Sequence, residues 1–172
     1  MSRIAGSETE VAIRDIRRRY VPMISTLAAI LLGAALPIVA NSAWVPNLGF
    51  LMLVTWRLMR PEIWPAQAAI GFGLAADFIS GAPLGQSVLL WTLTFLALDS
   101  LDNWLGVRDY WLDWVAAAAA ILFHTLGVWY IALLMGAETR FWIMVPQLAL
   151  SMLAYPVAAR LVLGLDRWRL MR

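Results

Sequence analysis

Gly71-Phe72-Gly73-Leu74-Ala75-Ala76-Asp77-Phe78-Ile79-Ser80-Gly81-Ala82-Pro83-Leu84-Gly85 is an apolar, glycine-rich stretch with one carboxylate in it. A turn at Arg60-Pro61 precedes it. An ionisable group facing lipid is costly, so Asp77 belongs in an interior, in a cavity or beside a partner. Gly73, Asp77 and Gly81 recur at i, i+4 and i+8 and share one face of a helix. Glycines on that face permit close backbone approach. The face is expected to pack against another helix, of this chain or of a partner. Pro83 and Gly85 belong to the turn that closes it.

The surrounding chain makes the lipid argument relevant. Its 172 residues are 62% hydrophobic and only 14% charged, with a mean hydropathy of +0.75. Repeated long apolar runs predict an all-α membrane protein, a bundle of six transmembrane helices with short loops. Long runs, rather than short alternating segments, argue against a barrel. There is no cysteine and a single histidine, His124. Disulfides, thiol catalysis and multi-histidine metal sites are therefore excluded. The sequence contains no phosphate-binding loop, no His-Glu-x-x-His and no Gly-x-Ser-x-Gly elbow. Catalytic, cofactor-binding and metal-binding residues are accordingly expected to be absent.

In chain order, residues 1–20 form a polar N-terminal tail carrying Arg14, Arg17, Arg18 and Arg19. It is either a solvated cytoplasmic segment or a short amphipathic helix on anionic lipid, with Val11, Ile13 and Ile16 inward. Residues 21–165 form the membrane domain, with spans expected at 21–40, 44–59, 62–80, 86–104, 111–135 and 141–163. Residues 166–172 form a second arginine-bearing tail. All thirteen basic residues are arginine. They gather at both tails, at 57–60 and at Arg108, while the opposite loops hold only Arg140. That asymmetry places both termini in the cytoplasm. Tryptophans 44, 64, 104, 111, 142 and 168 fall at span ends, as an aromatic belt requires.

Helical rise assigns depths to the charged groups. Asp77 lies roughly 24 Å beyond the Pro61 turn and Arg57 roughly 6 Å from it, so these two do not meet. Arg57, Asp99 and Arg160 share the inner level. They either form an inner polar layer or each reach headgroup water separately. His124 is near mid-membrane, about 10 Å in depth from Asp77. It is expected to be hydrogen-bonded to a Ser or Thr of a neighbouring helix rather than to serve a proton relay. If the Gly73 face is a packing surface, Gly73→Leu should be damaging and Asp77→Asn tolerated. A solute or proton site predicts the reverse.

Two segments resemble the MreD family of bacterial rod shape-determining membrane proteins. One is Leu53-Val54-Thr55-Trp56-Arg57-Leu58-Met59-Arg60-Pro61, with Thr55 where that family tends to have tyrosine. The other is the Gly73-Leu74-Ala75-Ala76-Asp77 element with its Gly81-to-Gly85 turn. Tyr155-Pro156 also resembles the family's last span. The resemblance implies a non-enzymatic scaffold of the cell-elongation complex in the bacterial inner membrane. It implies as partners MreC, MreB, RodA and a class B penicillin-binding transpeptidase, besides membrane lipids, with no nucleic acid and no cofactor. The family is similar in overall plan to the substrate-binding subunits of vitamin transporters. The alternative is thus a small-solute transport component, for which Asn41, Asp77, Gln86 and Gln147 would have to supply an outer polar pocket.

Overall fold

In the computed structural model the described residues are 2–40, 44–105, 109–138 and 140–170, and side chains are described for 16–36, 44–104, 109–138 and 140–170. They form six helices and no strand: α1 (Ser2–Ala40), α2 (Leu48–Met59), α3 (Ala66–Ser80), α4 (Gln86–Leu105), α5 (Tyr110–Leu134) and α6 (Val145–Leu170). A 3-10 turn, Phe141–Met144, leads into α6. The fold is an all-α membrane-protein bundle. Three helices, α1 over Ile16–Leu36, α5 and α6 with its leading turn, are long and apolar enough to cross a membrane.

The organising helix is the shortest one. α2 has 12 residues, about 18 Å of rise. Leu53, Val54, Thr55, Trp56 and Arg57 are buried in succession, covering every side of the helix. A helix apolar on all faces belongs in the middle of a bundle, and α2 touches α1, α4, α5 and α6. Trp56 donates its indole N–H to Ser25 Oγ on α1 at 3.0 Å, satisfying its polar edge.

Two helices begin later than their apolar runs. α2 starts at Leu48 rather than near Trp44 because Asn47 caps it, its side-chain oxygen accepting the Phe50 N–H at 3.0 Å. α3 starts at Ala66 rather than after Pro61 because a second proline, Pro65, is its extended N-cap. Proline holds the residue before it out of the helical region, so Trp64 ends the turn. Trp64 is consequently buried edge-on against Phe72, at 5.0 Å between ring centres, and is no part of a belt. The other five belt tryptophans are exposed.

Both expected tails extend helices. α1 is continuous from Ser2, and α6 runs past residue 163 to Leu170. The last turns of α6 continue because Asp166 and Arg169 face inward and are buried. Asn41, Ser42, Arg108 and Arg172, and the side chains of Val11, Ile13 and Arg14, lie outside the described residues.

Candidate functional site

Three polar constructions sit inside this apolar bundle. The first is the α3–α4 hairpin. Gly73 lies against the start of α4: a Cβ there would fall 2.7 Å from both Cα and N of Val88. That spacing admits only glycine unless the two helices part. One turn on, Asp77 is 1% exposed. The Gly85 N–H donates to its Oδ2 at 2.8 Å and the Ser87 N–H to its Oδ1 at 2.9 Å. The first N–H groups of a helix have no partner within it, and the helix N-terminus carries partial positive charge. Asp77 is thus a cap delivered to α4 from the neighbouring helix. Both its oxygens are occupied.

The other three residues of this element have a different part. Gly81 ends α3 at φ +67°, and Gly85 takes φ +96° immediately before α4. Pro83, between them, accepts the Gln86 N–H at 3.0 Å. A Cβ at Gly81 or Gly85 would meet open space. These glycines are required for backbone angle, not for packing. The face expected to suit a helix of this chain or of a partner is therefore divided. Gly73 and Asp77 are covered by α4 of the same chain, and 81–85 forms the turn. The outward stripe of α3 is Ile70, Leu74 and Phe78, all exposed.

The second construction is a layer of ion pairs at the opposite end of α2. Arg57 is 3% exposed, so it does not reach headgroup water. Its guanidinium donates to Asp99 and lies 2.8 Å from Asp102. Asp102, three residues after Asp99, is on the same face of α4. An Asp-x-x-Asp spacing is the signal that would have placed it. Arg57 also lies over the Phe95 ring. Arg160 does not join this layer: it is exposed and forms no ion pair among the described residues. The neighbouring cluster is built on Asp166, which receives Arg60 Nε at 2.9 Å and Nη2 at 2.5 Å. Arg169 Nε donates to its other oxygen at 2.6 Å. Arg169 Nη1 reaches the Arg18 carbonyl of α1 at 3.0 Å. One carboxylate thus ties the α2–α3 turn and α1 to the end of α6. Its hydrogen bond to Arg60 holds that guanidinium's pKa above the ordinary value. The Asp-x-x-Arg spacing in the last helix was the available signal.

The third construction is a cavity of about 130 Å³ beside the α3–α4 turn. His124 is among its lining residues, buried and stacked on Phe50 at 4.2 Å between ring centres. The expected hydrogen bond from His124 to a Ser or Thr is not formed. The histidine shares the cavity with Ser87, whose N–H Asp77 holds. Asn47, Ser80, Ser87 and Gln147 also line a second cavity of about 130 Å³ on the α1 side. Gln86 lines the first cavity and Gln147 lines both, whereas Asn41 is outside the described residues. Asn47, Ser87, Thr125 and Ser151 had no sequence signal, since each reads as an ordinary polar residue in an apolar helix or turn.

The arrangement defines an all-helical membrane bundle, stitched at one end by arginine–carboxylate pairs and at the other by a carboxylate cap. Compared with known families, residues 14–165 match the rod shape-determining protein MreD. The chain belongs to the MreD family of rod shape-determining membrane proteins. No curated protein and no solved structure matches it.

Proposed function

We propose that the protein is a non-enzymatic scaffold of the bacterial cell-elongation complex, holding peptidoglycan-synthesis components together in the inner membrane. Family membership over residues 14–165 is the observation that carries this. The side-chain chemistry supports it. Asp77 is engaged in capping α4, and Arg57 and Asp166 are engaged in joining helices. Groups held this way fix helix register and leave the outward apolar faces for partner helices. Each lies on a different pair of elements, so together they set the relative height of α1, α2, α3, α4 and α6.

In this reading the chain crosses the membrane six times with both termini in the cytoplasm. The short α2 completes its crossing inside the bundle, surrounded by neighbouring helices, while α3 packs on α4 with one face and turns Ile70, Leu74 and Phe78 outward. The Arg57 and Asp166 layers then face the cytoplasm, where arginine is favoured. The partners are MreC, MreB, RodA and a class B transpeptidase. The test is affinity purification of the full chain in mild detergent, followed by mass spectrometry. Recovery of MreC and RodA supports the scaffold. Recovery of an ATPase module without them would replace it with solute transport.

A further inference from the structure

The cavity around His124 has a polar but uncharged lining. Thr125 and Ser151 each donate their hydroxyl hydrogen to the carbonyl four residues earlier in their own helix, at 2.9 and 2.7 Å. Ser80 does the same to Ala76 at 2.7 Å. Three of the four hydroxyl residues lining the cavity, Ser87 being the fourth, therefore have their protons already committed and offer their oxygens as acceptors. Asn47 has the opposite bias. Its side-chain oxygen accepts the Phe50 N–H, which leaves its amino group as a donor. The carboxamides of Gln86 and Gln147 supply both kinds of group. His124 is 7% exposed and lines the cavity, and its ring nitrogens are not among the buried polar atoms left without a partner. A neutral imidazole that opens on a cavity offers one donor and one acceptor to what fills it.

Charge is excluded by the same inventory. No carboxylate, arginine or lysine lines the cavity, and Asp77 is turned to α4 with both oxygens occupied. A charged ligand would be desolvated without a counterion. Apolar atoms of Phe50, Ile121, Val128 and Met144 complete the wall, which suits a molecule with C–H faces and polar edges. Size is the last constraint. A cavity of about 150 Å³ holds one benzene ring, and this one is about 130 Å³, so it takes a glycerol-sized polyol or one edge of a larger sugar rather than a whole sugar ring.

We propose that this cavity is a binding site for one uncharged, hydroxyl-rich group of about glycerol size, a free polyol or the inserted edge of a sugar ring, with His124, Asn47, Gln147, Thr125 and Ser151 as its hydrogen-bonding contacts. The ligand's hydroxyl protons meet the committed oxygens of Thr125 and Ser151, and its oxygens meet the Asn47 amino group. The same chemistry is available in a free sugar and in the sugar headgroup of a glycolipid. The site does not depend on which partners the protein assembles with.

The single histidine provides the assay. The full chain, labelled with 15N-histidine and placed in phosphatidylcholine nanodiscs, gives one set of imidazole resonances. These are followed during titration with D-glucose, myo-inositol and glycerol, and separately in nanodiscs containing monoglucosyl diacylglycerol. A saturable imidazole shift is expected from at least one uncharged probe, with none from gluconate or glucosamine. Saturation by a free sugar identifies a soluble ligand, and saturation only with the glycolipid identifies a headgroup. Thr125→Val and Ser151→Ala should each weaken binding about tenfold or more, at an unfolding midpoint near that of the wild type. Gln147→Leu serves as a third variant if either fails to fold. No shift from any uncharged probe would overturn the proposal. Equal shifts from the charged analogues, or unchanged saturation in the well-folded variants, would do the same.

Discussion

Replacing Asp77 by asparagine keeps the shape of the side chain and removes half of its function. In the structure both carboxylate oxygens accept backbone N–H groups, from Gly85 and Ser87. Asparagine has one acceptor oxygen and one amino group. Whichever way it is turned, its amino group faces a backbone donor. The variant loses one charge-assisted hydrogen bond, of about 1.5–3 kcal/mol. It also loses the favourable charge at the α4 N-terminus, about 0.3–1 kcal/mol for an ordinary site. The expected destabilisation is about 2–4 kcal/mol, and Asp77→Ala should exceed it by stranding both N–H groups. The geometry thus reverses the expectation from sequence, in which a packing face tolerates Asp77→Asn. Gly73→Ala should cost about 1–3 kcal/mol by forcing α3 from the α4 backbone. The assay is reversible unfolding of the detergent-solubilised protein in SDS, followed by the fluorescence of its ten tryptophans. Rod shape in a depletion strain, with membrane level checked by immunoblot, provides the functional readout. An Asp77→Asn protein within about 0.5 kcal/mol of wild type, a change typical of neutral surface sites, would refute the capping argument.

Three further predictions concern the other end of the bundle and the termini. Asp99 and Asp102 are 41% and 23% exposed and share Arg57. Removing either alone should therefore cost under about 1 kcal/mol. Removing both strands a buried guanidinium and should cost about 3–5 kcal/mol, a non-additivity that a double-mutant cycle reads directly; additive effects would mean that the two carboxylates do not share the arginine. Asp166→Asn should release α1 from α6 by weakening the grip of Arg169 and Arg60. Its signature is faster hydrogen exchange or protease cutting confined to the last turns of α6 and to α1 near Arg18, while the α3–α4 hairpin keeps its protection. Finally, alkaline phosphatase fused at the C-terminal end of the chain should be inactive in cells, because both termini are proposed to be cytoplasmic. Strong activity there would remove the six-crossing arrangement.

Local chemistry determined most of the architecture. Apolar length and composition are properties of each segment by itself, so the helical membrane class could be read without any contact being known. Most turns were legible for the same reason: Gly81 and Gly85 carry a backbone preference, and Pro61 a backbone restriction, wherever they occur, whereas the same restriction at Pro65 delayed α3 beyond the expected start. The depth of Arg57 and Asp99 also followed from helical rise alone. Tertiary structure decided who meets whom. Arg160 sits at a suitable level but points outward, whereas Asp102, given no part in the inner layer by sequence, and Asp166, assigned to a tail, face inward and take the arginines. Rise along a helix gives height; the azimuth of one helix relative to its neighbours arises only from packing. Asp77 shows the same division. Its burial could be inferred from the cost of an acid in lipid. Its role could not, because the N–H groups it holds belong to another helix and become its partners only when Gly73 lets the two backbones close.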